Sequence, residues 1–290
     1  MPGTPVFQHT FAAMNTRFTV VLPSVAAAAG VRLAREVEAF VGRQERLMSR
    51  FVEHGAVARI NRHAGQAAVA AGDAWDVLLA CRDHWRRTGG AFDIAQGART
   101  SGASLAAADN GMQYVELDDA ARTVRFASPG VQLDLGGVGK GIALDNVVRR
   151  LRARGVERAF LSFGESSIAV IGSHPAGPYW PVGVVDPARG DTALHSFHLR
   201  DGAMSSSGNR TDDGHTVDPH SGLRRNGRCV LSVACASAVD AEVLSTALLV
   251  TSRAERARIL NNYPGAEGVE FVCSADAGPQ GLHKRWHDAS

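Results

Sequence analysis

The run Leu133-Asp134-Leu135-Gly136-Gly137-Val138-Gly139-Lys140-Gly141 closes an apolar stretch at Asp134 and leads into helical periodicity. Its four glycines permit positive φ and let a ligand approach the backbone closely. Lys140 is one of only two lysines, the other being Lys284, among 31 basic residues. Arginine is therefore the chain's ordinary cation, and a lysine kept in this turn is informative. A strand-to-helix turn of this kind aims backbone N–H groups, a helix N-terminus and one point charge at an anion, which points to a phosphate site. The spacing is neither Gly-x-x-x-x-Gly-Lys-Ser/Thr nor Gly-x-Gly-x-x-Gly. A tight turn carrying a solvated lysine is the plainer alternative.

Upstream of this turn, Phe11 to Leu22 alternates as a strand does. Ser24 is placed to cap a long amphipathic helix running to about Met48, with Val31, Leu33, Val37, Phe40, Val41 and Leu47 at helical spacing. Asp73 to Arg87 reads as a second helix, stopped at Thr88-Gly89-Gly90. Ala98 to Gly111 reads as a loop, followed by a hairpin from Tyr114 to Phe126. Downstream, a third helix follows Lys140. Strands are expected at Ala159–Phe163, Ile168–Ile171, Trp180–Val185, Leu194–Leu199 and Arg228–Ala234, then a last helix from Val239 to Leu260. This interleaving predicts an α/β or α+β fold in one compact unit spanning 1–290, with mixed sheets flanked by helices. A division into two similar, T-fold-like halves stays open.

Composition limits the function classes. The 290 residues carry a formal charge of +2, with 45% hydrophobic and 21% charged residues, and no basic run interleaved with aromatics. Nucleic acid is excluded as the main partner. The 11 histidines are scattered; His195 and His198, three apart on an expected exposed strand, make a weak metal pair. Cys81, Cys229, Cys235 and Cys273 lack Cys-x-x-Cys spacing and read as buried thiols rather than disulfide or zinc ligands. The apolar stretch Val20–Val31 is interrupted by Pro23, with no charged region before it and no lipid-anchor cysteine after it. The expectation is no membrane span and a cytoplasmic protein, or a periplasmic one if a leader precedes this sequence.

Several polar clusters could carry chemistry. Asp93 follows the flexible turn Gly89-Gly90-Ala91-Phe92. His215 enters the polar turn Thr216-Val217-Asp218-Pro219-His220-Ser221-Gly222, and Met204-Ser205-Ser206-Ser207-Gly208 offers hydroxyls just before it. Glu242 and Thr246 stand at i and i+4 on one helix face, where a carboxylate and a hydroxyl can hold a hard cation through oxygen. Singly, each has an ordinary reading: a helix cap, a surface histidine, a solvated helix face.

In this order the set resembles the ApbE-like FAD:protein FMN transferases, over about residues 14–250. Met14-Asn15-Thr16 is similar to the family's Met-Gly-Thr. Gln44 to Phe51 and Ile60-Asn61 resemble Glu-x-x-Leu-Ser-x-Tyr and Leu-Asn, and Gly89 to Asp93 resembles Gly-Ala-Phe-Asp. Leu133 to Asp145 resembles Asp-Leu-Gly-Gly-Ile-Ala-Lys-Gly-Tyr-Ala-Val-Asp. Trp180 to Pro187 resembles Trp-x-Val-Gly-Ile-x-Asp-Pro, His215 to Gly222 His-Ile-Ile-Asp-Pro-x-Thr-Gly, and the last helix Ala-Asp-Ala-Leu-Ser-Thr-Ala-Leu.

The resemblance implies a Mg²⁺-dependent enzyme that cleaves FAD and moves FMN onto a threonine hydroxyl of a partner protein, releasing AMP. It implies FAD contacts at Met14, Phe51, Ala91, Phe92, Asp93, Asp134, Lys140 and Val217. It places Mg²⁺ on Glu242, Ser245, Thr246 and a backbone carbonyl at Gly137 or nearby Gly139, with His215 assisting deprotonation of the hydroxyl. An FAD pyrophosphatase using water, or a flavin-binding protein without activity, would share these residues. There are departures from the pattern. Glu242 replaces aspartate, leaving Asp240 as a candidate substitute; Glu165 and Asn15 replace glycines; Phe51 stands where tyrosine is common; and the segment between Asp93 and Asp134 is abbreviated.

Overall fold

A hairpin opens the chain, because Met14 and Asn15 take left-handed φ values of 49° and 62° between two alternating runs. In the computed structural model, which describes residues 5–97, 110–186, 189–209, 216–225, 227, 229–273 and 282–288, the runs are β1 (Val6–Ala13) and β2 (Thr16–Pro23). The single strand expected over Phe11–Leu22 thus folds back on itself, with Ala13 opposite Thr16. Asn15 tolerates the αL conformation that a two-residue hairpin turn requires.

Helix α1 (Ala27–Met48) buries Leu33, Ala34, Val37, Phe40, Val41 and Met48 along one stripe. Its start corrects the expected Ser24 cap: Ala26 is the N-cap, without a side-chain hydrogen bond, and Ser24 takes φ 64° in the turn before it. A short helix the sequence did not signal, α2 (Ala56–His63), buries Val57, Ala58 and Ile60. The helix expected from Asp73 begins as a 3₁₀ turn, Gly72–Ala74, and becomes α3 (Trp75–Arg87). Helix α4 (Gly139–Ala153) starts within the glycine turn. The expected Val239–Leu260 helix is two: α5 (Ala238–Val250) and α6 (Arg253–Leu260). Ser252 and Glu255 form a capping box that restarts the chain in a new direction.

The strands β3 (Val69–Ala70), β4 (Val115–Asp118) and β5 (Thr123–Phe126) make a small sheet in the order β3-β5-β4. The large sheet takes β6 (Ala159–Phe163), β7 (Ser167–Ile171), β10 (Ala203–Asn209), β11 (Cys229–Cys235), β12 (Glu267–Cys273) and β13 (Leu282–Asp288). Its order is β1-β2-β6-β7-β10-β11-β12-β13, so both ends of the chain share one sheet. Every pairing between these strands is antiparallel, and helices flank the sheet, in keeping with the expected α+β fold. A separate ribbon joins β8 (Trp180–Asp186) to β9 (Arg189–Leu199).

Alternation divides the core between the faces of the large sheet. Leu161, Phe163, Ala169 and Ile171 pack with α1 and α4, through Phe40, Val41, Leu144 and Val147. Ile168, Val170, Val230 and Phe271 point the other way, against Trp180, Val182 and Phe197 of the ribbon. Leu231 and Val233 join α2, α3 and α5 in a third cluster that also holds Phe92, Leu133, Leu135 and Val138. The glycine turn is therefore anchored by buried leucines and valine on each side. Cys81 and Cys229 are buried free thiols, as expected, whereas Cys235 is half-buried. Burial pushes the Cys81 thiol up to about 12, so it stays protonated and unreactive at neutral pH. Among the described residues no helix is long and apolar enough to cross a membrane.

Candidate functional site

Five backbone clamps build the site from segments far apart in sequence. The Glu45 carboxylate accepts from Met14 N–H at 2.9 Å, fixing the β1–β2 turn to α1. Asn61 bonds Leu133 twice, accepting from its N–H at 2.8 Å and donating to its carbonyl at 2.9 Å. Arg50 Nη1 donates to Gly97 O at 3.1 Å and Gln132 Oε1 at 3.0 Å, and its Nε lies 3.2 Å from Asp134 Oδ2. Asp134 Oδ1 accepts from Gly136 N–H at 2.8 Å, closing the start of the glycine turn. Asp145 caps α5: it accepts from Ser237 Oγ at 2.8 Å, Ala238 N–H at 2.8 Å and Val239 N–H at 3.1 Å.

These clamps surround a cleft of about 610 Å³ lined by Met14, Asn15, Glu45, Met48, Arg50, Phe51, Asp134, Gly136, Gly139, Lys140, Gly164 and Ser166. That volume suits a nucleotide-sized ligand. Of the expected nucleotide contacts, Met14, Phe51, Asp134 and Lys140 are brought together here. Phe51 is 81% exposed, and the Arg50 guanidinium sits 4.6 Å from its ring centroid, leaving an aromatic face to the solvent. Two departures fall on this rim. Asn15 holds the turn described above, and Glu165, at φ 65°, points outward with Arg17 Nη2 3.7 Å away.

Beneath Lys140 lies Glu242, only 2% exposed. Its Oε1 accepts from Lys140 Nζ at 2.7 Å and Ser167 Oγ at 2.6 Å, and its Oε2 from Gly141 N–H at 2.7 Å. The extra methylene over aspartate takes the carboxylate into the first turn of α4, where the helix dipole also favours a negative charge. Glycine is required at 141 for this approach, since a Cβ there would lie 2.6 Å from Ala238 O.

The ApbE family's sequence profile matches residues 14–270. The chain belongs to the ApbE family. It is 27% identical over 272 residues to the FAD:protein FMN transferase of Treponema pallidum, covering 81% of this chain and 75% of that relative. A 33% identical match to the FAD:protein FMN transferase of Rhodobacter capsulatus covers 51% of this chain but 29% of that relative. In fold it is similar to the flavin transferase ApbE of Vibrio cholerae, at TM-score 0.83 and 19% identity over 98% of this chain and 97% of that one. The Pseudomonas stutzeri flavinyl transferase ApbE gives TM-score 0.83 at 22% identity, over 98% of this chain and 94% of that one.

The remaining expected contacts of this ApbE-family chain lie on the other side of the turn. A Cβ at Gly137 would stand 3.8 Å from Phe92 Cε2 and 3.9 Å from Thr246 Oγ1, so these residues share one spot. Ala91 and Phe92 are buried, and Ala91 borders a second cavity of about 320 Å³ with Asp218, His220, Glu255 and Arg258. Asp93 turns inward. Its oxygens accept from Ala95 N–H at 2.7 Å and Met112 N–H at 3.0 Å, and burial raises its carboxyl above the usual range despite those bonds. Val217 sits on the hairpin 216–225, bridged to Arg224. His215 lies outside the described residues, as do residues 98–109 of the abbreviated segment.

The oxygen donors expected to hold a cation separate into two environments. Thr246 Oγ1 is 3.5 Å from Ser207 Oγ and faces Gly137. Ser245 is fully buried, its hydroxyl 2.9 Å from Ser207 Oγ and 3.1 Å from Glu242 O. Asp240, considered as a substitute for Glu242, points instead toward His84 and Arg87, at 3.8 and 3.7 Å. The donor set is all oxygen and includes one carboxylate with a lone pair left on Oε2, so its chemistry fits Mg²⁺, with Lys140 sharing that carboxylate. Ser167, Arg50 and Asp145 were not read as site residues from sequence, and Ser207 only as one of a cluster of hydroxyls. Ser167 alone lay in none of the motifs; Arg50 falls in the Gln44–Phe51 stretch and Asp145 ends the glycine-rich signature.

Proposed function

We propose that this chain is an FAD:protein FMN transferase that moves FMN from FAD to a threonine hydroxyl of an acceptor protein with the help of Mg²⁺. The observation that carries the reading is Lys140 beside the glycine turn and the α4 N-terminus, at the edge of the 610 Å³ cleft. A diphosphate there meets a point charge, backbone N–H groups and a helix dipole together. Phe51 offers its open face for stacking, and Met14, Ala91, Phe92, Asp93, Asp134 and Val217 complete the nucleotide's surroundings by contact or by holding the backbone.

Glu242, Thr246 and the Gly137 carbonyl would hold Mg²⁺, with Ser245 supporting them through Ser207. The ion would neutralise charge on the phosphate oxygens. The chain's own groups do the rest. Lys140 and the turn N–H groups bind and orient the diphosphate, which is most of what phosphoryl transfer asks of a protein. His215 is proposed to take the proton of the acceptor hydroxyl. The hydroxyl oxygen forms a bond to the FMN phosphorus as the bond to the AMP oxygen breaks, and AMP leaves with the electron pair.

The test is to incubate the protein with FAD, Mg²⁺ and a threonine-bearing peptide, then to measure AMP and covalently fluorescent peptide. Both products in equal amounts are expected. AMP without labelled peptide would make the protein a pyrophosphatase, and bound FAD without either product would make it a flavin carrier.

A further inference from the structure

Glu270, on interior strand β12, is completely buried, as is expected of few carboxylates. It is matched by Arg256 of α6, whose Nη1 and Nη2 donate to its two oxygens at 2.8 and 3.0 Å. That bidentate pair already balances the charge. A second guanidinium nevertheless approaches: Arg225 Nη2 lies 3.5 Å from Glu270 Oε1. Arg225 belongs to neither element. It closes the hairpin 216–225, where its N–H donates to Thr216 O at 2.9 Å.

The hairpin itself is held by short bonds. Asp218 N–H donates to Leu223 O and Gly222 N–H to Asp218 O, each at 2.8 Å, and Ser221 Oγ donates to Asp218 Oδ2 at 2.5 Å. Its tip reaches the Gly89–Asp93 motif, where a Cβ on Gly90 would lie 3.0 Å from His220 Cε1. The unit is thus internally rigid but touches the site edge-on, so its position depends on what anchors its base. Thr216, at that base, directly follows His215.

We propose that Arg225 is a positioning residue for the transfer reaction, using the buried Arg256–Glu270 pair as a fixed post to set where Thr216 and Val217 stand relative to the bound nucleotide. A buried charge pair gives little net stability against an apolar substitute, so its retention suits a role in fixing geometry. Because the post keeps its own bidentate partner, removing Arg225 should loosen the hairpin without unfolding α6 or β12. This rests on the transferase reading given above.

The experiment compares wild type with Arg225→Gln and Arg225→Lys. Hydrogen exchange at the Arg225 and Asp218 amides should quicken at least about tenfold in Arg225→Gln, while the thermal midpoint stays within about 3 °C of wild type. The kcat for AMP release should fall about tenfold or more with KM for FAD within about twofold, since misplacement by an ångström is costly to rate rather than to binding. Arg225→Lys, which keeps the charge, should recover part of kcat. Unchanged hairpin exchange in Arg225→Gln overturns the anchoring, whether or not the wild type turns over. Quickened exchange with wild-type kcat overturns the catalytic part. A wild type that makes no AMP sinks the transferase reading instead, leaving the exchange data to judge the anchor.

Discussion

Replacing Glu242 by glutamine keeps the shape and removes the charge, and its effects should cross over between conditions. In the wild type three donors meet the carboxylate: Lys140 Nζ, Ser167 Oγ and Gly141 N–H, all between 2.6 and 2.7 Å. A glutamine amide has one acceptor oxygen. If it faces Gly141, the NH₂ can donate to Ser167, whose hydroxyl turns to accept, but the ammonium loses its partner. If it faces Lys140, the NH₂ opposes the Gly141 N–H. Either way one charge-assisted bond is lost and another weakened, at a cost of about 2–4 kcal/mol of stability. Lys140 is 25% exposed, so water relieves part of this. Binding should move the opposite way. A phosphate on the outer side of the ammonium would lie about 6 Å from the carboxylate, a repulsion of about 0.7 kcal/mol in water and about 3 kcal/mol at an effective dielectric of 20. Without divalent ion, Glu242→Gln should therefore bind FAD more tightly, by about threefold if the water value holds and up to about a hundredfold at the lower dielectric. With Mg²⁺ that advantage should vanish, because the carboxylate offered to the ion is gone. Urea denaturation and flavin fluorescence titrations with Mg²⁺ or EDTA measure both quantities. A variant as stable as wild type, or one whose FAD affinity matches wild type in both buffers, would refute the placement of Glu242 between lysine and cation.

Lys140→Ala should weaken FAD binding about tenfold, because a phosphate loses its point charge and Glu242 loses its counter-ion, keeping only its neutral donors Ser167 and Gly141; fluorescence titration reads this, and unchanged affinity would remove Lys140 from the phosphate site. Gly141→Ala should destabilise the fold by about 1–3 kcal/mol in urea, since its Cβ would meet Ala238 O at 2.6 Å and Ala238 C at 2.9 Å, both backbone. Acid should act through His84, which burial and then Arg87 lower to about 4, against an opposing pull from Asp83. The neutral ring is the folded form, so the unfolded chain binds the extra proton between pH 6.5 and 4 and stability falls as pH drops through that window, by roughly 2–3 kcal/mol. Asp240 and Asp93, both raised by burial, work in the other direction at the low end. Urea midpoints at pH 7 and 4.5 should fall less for His84→Gln than for wild type, and equal falls would exonerate the histidine.

The elements legible in the sequence were those built on apolar residues: α1 and α4 at helical spacing, β6 and β7 as short apolar runs, and the β4–β5 hairpin by alternation lie close to where they were expected. The missed ones hide their burial in polar residues. β10 has no apolar alternation to mark it as a strand, yet Ser206 Oγ is 2.6 Å from Ser232 Oγ and Ser207 Oγ is 2.9 Å from Ser245 Oγ, so the strand satisfies its hydroxyls from its neighbours. β12 carries Glu270 at a buried position, which the guanidinium of Arg256, on a separate helix, makes tolerable. The break between α5 and α6 did have a local signal, Ser252-x-x-Glu255, masked because Ile259 and Leu260 continue the apolar pattern across it.

For the site, motif order identified which segments meet but not what their side chains do on meeting. The clamps that make the cleft are the reason: Asn61 with Leu133 spans 72 residues, Lys140 with Glu242 spans 102, and no window of sequence contains both partners. Residue substitutions suffer most from this. Read alone, Glu242 in place of aspartate signals a damaged cation site, and Glu165 in place of glycine a charge facing phosphate. In the fold the first reaches one methylene further to a helix N-terminus and a lysine, and the second takes its charge outward to Arg17. A substitution in a motif therefore has to be judged by the partners its new length can reach. By that measure the two glutamates differ: Glu242 is built into the proposed chemistry, and Glu165 stands at its rim at the cost of a strained φ of 65°.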